Sequence, residues 1–91
     1  MNQIELSKSK ALISGAAYEL ERAKRNVAYW HQQVVVLNAN LSTLAEWQLA
    51  DGYKRIDETK EKMKDAEALV KYWQSELQYR QDELNSYQVF A

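Results

Sequence analysis

The side chains that could carry chemistry in this chain are one histidine, a set of mixed charges and ten aromatic residues. His31 is the only histidine and there is no cysteine. A lone helical histidine lacks the further ligands that a zinc site requires, and no Glu-x-x-His pair of the di-iron type occurs. Gly-rich phosphate loops and nucleophile elbows are also absent. We therefore expect no catalytic, metal-binding or cofactor-binding residues, and a protein that is not an enzyme.

The charged residues form clusters of two kinds. Acids at 57–65 alternate with lysines, which is typical of a solvated helix face whose ion pairs each contribute a few tenths of a kcal/mol. Basic groups at 22–25 and 54–55 could contact phosphate while tyrosines stack on bases. Acids interrupt these groups, and the net charge of −1 gives no basic stripe. Nucleic-acid binding by a helical hairpin is therefore kept only as an alternative.

The composition is that of a helical protein. The 91 residues include no proline and only two glycines, and are rich in Ala, Leu, Glu, Lys and Gln, which favour helices. One domain spanning 1–91 is expected at this length. The longest apolar run, 34–37, is far too short to cross a membrane, and no signal peptide precedes it. We expect a cytoplasmic protein without membrane contact, although specialised secretion stays open.

The same Tyr-Trp pair occurs in AYWHQQV at 28–34 and in KYWQSEL at 71–77. A shift of 43 residues aligns the two halves of the chain, and in each half apolar residues recur at alternating steps of three and four. This is the heptad pattern of helices that pack against each other. From it we predict a hairpin core of Leu20, Val27, Trp30, Val34, Leu37, Leu41, Met63, Val70, Trp73, Leu77 and Leu84.

The fold expected is an all-α antiparallel two-helix coiled-coil hairpin with internal duplication. A single continuous helix is disfavoured, because a 43-residue repeat exceeds six heptads by one residue and would rotate the second seam by about 100°. We predict helix 1 at about 3–49, capped by Asn2, a turn at 50–52 and helix 2 at about 53–89. Asp51 and Gly52 are the expected helix breakers.

A turn at 50–52 would place residue i opposite residue 103 − i, so that Trp30 faces Trp73. We interpret both tryptophans as core, with a ligand platform as the alternative. About ten N-terminal residues would then project beyond helix 2. Such an overhang could fray, complete a dimer or serve as a recognition arm.

Apolar and aromatic residues also lie outside the seam, where a solvated helix would carry Lys, Glu and Gln. Enrichment in Tyr and Trp is typical of interfaces. Two hairpins could stack through this side into a four-helix bundle, or the side could receive another protein. The predicted partner or dimer interface consists of Tyr29, Val36, Trp47, Leu69, Tyr72, Tyr79 and Phe90.

Some features resemble the secreted helical-hairpin family that has a Trp-x-Gly turn and a C-terminal Tyr-x-x-x-acid export signal. Trp47 stands near Gly52, and the segment 79–83, Tyr-Arg-Gln-Asp-Glu, resembles that signal. The five-residue separation of Trp47 from Gly52 departs from the Trp-x-Gly spacing. The resemblance implies a specialised-secretion substrate or an assembly subunit.

The function that we expect is that of a small non-enzymatic protein-binding module acting through its exposed aromatic side. Homodimerisation is expected, because a short hairpin alone buries little apolar surface. An inhibitor, adaptor or chaperone encoded by a phage or mobile element would fit this size and simplicity. The alternatives are a helical-hairpin assembly subunit or secreted protein, and a nucleic-acid binder.

Overall fold

The computed structural model describes residues 2–90, with no account of the side chains at 88–90. Helix α1 comprises Gln3–Asn40 and helix α2 comprises Leu49–Phe90. Two short 3₁₀ turns, Leu41–Thr43 and Glu46–Gln48, connect them. The helices pack along their lengths as a rod of 68 × 14 × 13 Å. The predicted all-helical hairpin is thus confirmed.

Helix α1 begins where the sequence predicts. Asn2 has an extended backbone, and its side-chain oxygen accepts a 2.8 Å hydrogen bond from the backbone N–H of Glu5. This bond satisfies one of the N–H groups that the first turn of a helix leaves without a partner. Glu5 also puts a negative charge in the first turn, where it interacts favourably with the helix dipole.

The predicted turn at 50–52 is wrong. Helix α1 ends at Asn40 and α2 begins at Leu49, so both Asp51 and Gly52 lie inside α2. Neither glycine has a positive φ, and Gly52 therefore does not terminate a helix by a left-handed conformation. The reversal lies at 41–48, about seven residues earlier than predicted.

Polar side chains that compete for backbone groups end α1. The Thr43 hydroxyl donates a 2.7 Å hydrogen bond to the carbonyl of Asn40, and the backbone is extended at Leu44 and Ala45. The Gln48 side-chain oxygen then accepts a 2.9 Å bond from the N–H of Ala45, as the glutamine of a capping box does. Asn, Ser and Thr offer such local bonds, which is why their concentration at 38–43 interrupts a helix without glycine or proline.

Gly52 has a packing role instead of a turn role. A Cβ atom at this position would lie 2.7 Å from Leu44 Cδ1 and 3.0 Å from Leu41 Cδ2. The absence of a side chain lets the connecting segment lie directly on the first turns of α2. Asp51, in the first turn of α2, carries the charge that a helix N-terminus favours.

The pairing of the two helices differs from the prediction by about ten residues. Gly52 packs beside Leu41, and the Lys62 ammonium lies 5.0 Å from the centre of the Trp30 ring, so residues whose numbers add to about 93 share a layer. Trp30 consequently does not face Trp73, which is about 15 Å away along α2. The prediction that about ten N-terminal residues project beyond α2 is also wrong, because in this register the start of α1 lies beside the end of α2.

The seam between the helices is only partly shielded. Among the described residues, no side chain is less than 2% exposed. Leu20 is buried, whereas the other residues of the predicted hairpin core lie at the seam and are half-buried. Two helices form a single layer, so each seam residue is covered on one side by the partner helix and remains open above and below. The buried apolar residues are Ala16, Leu20, Ala23, Ile56 and Ala66.

Candidate protein-interaction face

One broad side of the hairpin carries exposed apolar and aromatic side chains from both helices. We call it the aromatic face and define it by the residues that the heptad phase puts there, at the two positions flanking the seam on one side. Polar and charged residues also occupy these two positions. The large apolar residues there, each at least 40% exposed, are Leu12, Tyr29, Val36, Leu69, Tyr72 and Tyr79.

The repeated Tyr-Trp pair has the same geometry in both helices. The rings of Tyr29 and Trp30 have centroids 4.9 Å apart at 73°, and those of Tyr72 and Trp73 are 5.0 Å apart at 79°. These are edge-to-face contacts, each worth about 0.5–1.5 kcal/mol beyond the area that it buries. Each tryptophan lies at the seam, and its ring contacts the ring of the exposed tyrosine that precedes it.

A groove of about 400 Å³ crosses the aromatic face near the free ends of the helices. Gly15 and Ala16 line it on α1, and Tyr72 and Trp73 line it on α2. A Cβ at Gly15 would meet no atom within 4 Å, so the groove is open at this residue. The groove has the size to admit side chains of a partner surface. A neighbouring groove of about 200 Å³ includes Leu69.

Charged residues border the groove. Arg80, which the heptad pattern puts at a seam position, is half-buried, with Nε 3.0 Å from Glu76 and a terminal nitrogen 4.0 Å from Glu83. Its guanidinium also lies 5.5 Å from the centre of the Tyr79 ring. The long stem therefore covers the seam while the charge reaches the edge of the aromatic face. This arrangement accommodates the one charged residue of the second seam.

Two of the predicted interface residues are not part of this cluster. Trp47 is 82% exposed, but it lies in the connecting segment at the tip of the rod. There it lines a 270 Å³ groove with Leu37, Leu44 and Gly52. The side chain of Phe90 lies outside the described part of the structure.

The larger groove is lined, together with Tyr72, by Leu12 and Tyr18, which are not among the predicted interface residues. Leu12 is half exposed and occupies a position directly beside the seam. Its heptad position could have identified it, because the same position on α2 holds Leu69. Tyr18 lies farther out on α1, where the heptad pattern gave no signal.

The opposite side of the hairpin has a different character. Its groove of about 310 Å³ is lined by Val27 and Val70 between the charged residues Lys24, Glu67 and Lys71. Within residues 2–90, no group of three or more His, Cys, Asp or Glu side chains is placed to hold a metal ion. None of the helices described is both long and apolar enough to cross a membrane.

Comparison with protein-family models, with curated proteins and with solved structures gave no match for this chain.

Proposed function

We propose that this protein is a non-enzymatic protein-binding module that acts through the aromatic face, and that two hairpins associate through it as a homodimeric four-helix bundle. The observation that carries the proposal is a set of three exposed tyrosines on the aromatic face, two of which make edge-to-face contacts with their own tryptophan neighbours. Tyrosine and tryptophan are enriched among the residues that dominate interface energetics. Roles as an inhibitor, an adaptor or a chaperone are the forms that this binding would take.

The surface area of the single hairpin supports association. A compact protein of 10.7 kDa exposes about 5,500 Å², whereas this chain exposes 7019 Å². The excess, about 1,500 Å² per chain, lies within the range that each subunit of an obligate homodimer buries. A second helical layer on the aromatic face would also cover the half-buried seam from one side.

The test is the effect of a charge on the aromatic face, measured as solution mass by light scattering over a concentration series. Tyr72→Glu should convert a dimer into a helical monomer, because a carboxylate at the interface would lose its hydration on association. Tyr53→Glu is the matched control. Tyr53 is 57% exposed and Tyr72 56%, but the heptad phase puts Tyr53 on the opposite side of the hairpin.

The two variants separate the possible outcomes. Loss of the dimer in Tyr72→Glu alone supports the proposal. Equal masses for wild type and both variants at dimer size would show that association uses another surface. Equal loss in both variants would indicate that the added charge acts through the stability of the hairpin and not through one face.

A further inference from the structure

We propose that the occupant of the aromatic face is a second copy of this chain turned end over end, with α2 against α2 and Leu69 next to the twofold axis. This inference rests on the proposed function and adds to it the orientation, the register and the residues that specify them. The connecting segments of the two hairpins would lie at opposite ends of the bundle.

The charge sequence along α2 is self-complementary about Leu69. One heptad position of α2 faces directly out of the aromatic face and recurs every seven residues. Its occupants are two bases, an apolar residue and two acids, in that order. An end-over-end rotation about the central residue brings each base of one copy opposite an acid of the other. The same surface is used by both copies of a twofold dimer, so it must be complementary to itself in this way. The occupants are Arg55, Lys62, Leu69, Glu76 and Glu83.

The packing of the hairpin itself accounts for only part of this series. The residues of α1 that lie beside it across the aromatic face are three amides, one leucine and one acid. Glu19 lies beside Glu76, which brings two like charges to one groove. Arg80 is the basic residue that meets Glu76 and Glu83, so this one cation serves two acids. Arg55 and Lys62 are exposed at the other end of the face, where the Lys62 ammonium lies 5.0 Å from the centre of the Trp30 ring.

The position of Leu69 allows the two rods to overlap over their whole length. Leu69 lies at the middle of α2, which comprises 42 residues from Leu49 to Phe90. A twofold axis at any residue near one end would leave half of each rod uncovered. When the axis is at Leu69, Leu12 of one copy lies at the same level along the bundle as Val36 of the other copy. Both residues are exposed in the single hairpin.

The opposite stacking, with both connecting segments at the same end, is disfavoured by charge. It would bring Glu19, Glu76 and Glu83 of one copy to the same level as the equivalent acids of the other. The helix dipoles do not choose between the two arrangements, because neighbouring helices are antiparallel in both. Side-chain charge is therefore the property that selects the orientation.

The first experiment uses a single cysteine at Leu69 in an otherwise unchanged chain. The chain has no cysteine of its own, so a disulfide between copies can form only at the introduced residue. Leu69→Cys should give a covalent dimer under mild oxidation, because the two residues meet at the axis within the roughly 7 Å that a disulfide can span between Cα atoms. In the opposite stacking they would lie on non-adjacent helices, more than about 10 Å apart. Gln74→Cys, on the other side of α2, should remain monomeric on a denaturing gel.

The second experiment exchanges the charges. Arg55→Glu/Lys62→Glu and Glu76→Lys/Glu83→Lys should each be monomeric, since every proposed pair becomes a pair of like charges. An equimolar mixture of the two variants should recover the dimer mass, because all four pairs are then restored between unlike chains. Circular dichroism of each variant alone checks that the hairpin remains helical.

The outcomes separate this inference from the proposed function. One outcome is that Tyr72→Glu dissociates the dimer while Leu69→Cys does not crosslink and the mixture of charge variants does not recover the dimer mass. In that case the aromatic face is the dimer interface, but the register centred on Leu69 is wrong. If the wild type is monomeric at every concentration, the proposal that a second copy covers the aromatic face is wrong. Crosslinking at Leu69 together with recovery in the mixture establishes the antiparallel dimer.

Discussion

At the scale of the residue, the two glycines of the chain have opposite surroundings. Gly15 is exposed within α1 with no atom near its missing Cβ, whereas a Cβ at Gly52 would lie 2.7 Å from Leu44. Gly15→Ala should raise the free energy of unfolding by about 0.5–1 kcal/mol, the usual gain for alanine in a helix interior. Gly52→Ala should give none of this gain, because Leu44 must move. Urea denaturation followed by circular dichroism measures both, and equal gains would contradict the contact at Gly52.

Arg80 illustrates a second residue-scale effect. It is 30% exposed at the seam and pairs with Glu76, which is similarly exposed. Arg80→Leu should leave the free energy of unfolding of the hairpin within about 1 kcal/mol of wild type, since apolar packing can replace a partly buried ion pair. Arg80→Ala should be less stable than Arg80→Leu, because it removes the stem that covers the seam. Identical stability of these two variants would show that the stem contributes nothing to the seam.

At the scale of the element, the connecting segment depends on local hydrogen bonds. Gln48→Ala removes the acceptor for the N–H of Ala45 and should lower the free energy of unfolding by about 0.5–1 kcal/mol. Gln32→Ala, at an exposed position within α1, is the control and should change it little or raise it slightly. Thermal and urea unfolding report the difference. If the control is equally destabilised, Gln48 does not act as a cap.

At the scale of the whole molecule, the helix register can be tested by crosslinking within one chain. Val34→Cys/Thr59→Cys should form an intramolecular disulfide, because these two seam positions share a layer. Leu44→Cys/Thr59→Cys should not, since it joins positions that only a turn at 50–52 would bring together. A gel-mobility shift after oxidation, with mass spectrometry of the peptides, distinguishes them. Crosslinking of the second pair alone would restore the register predicted from the sequence.

The features that the sequence predicted are those that depend on periodicity and local capping. Alternating steps of three and four determine the helical class and which residues reach the seam, because apolar side chains on one stripe must be buried together. The Asn2 cap follows from a side chain that reaches an N–H three residues away. The exposure of Tyr29 and Tyr72 beside their tryptophans also follows from position in the heptad.

By itself, then, the sequence determined that this chain forms two helices, that they fold into a hairpin and which sides of them are apolar. Only the tertiary structure decided where the hairpin turns and which residues face each other. A shift of a whole heptad returns every seam residue to a seam residue, so periodicity alone leaves more than one register open. Local terms at one place select among them: the bond from Thr43 to Asn40, the cap from Gln48, and the contact of Gly52 with Leu44. These terms place the turn at 41–48, and the turn fixes the register of the whole rod.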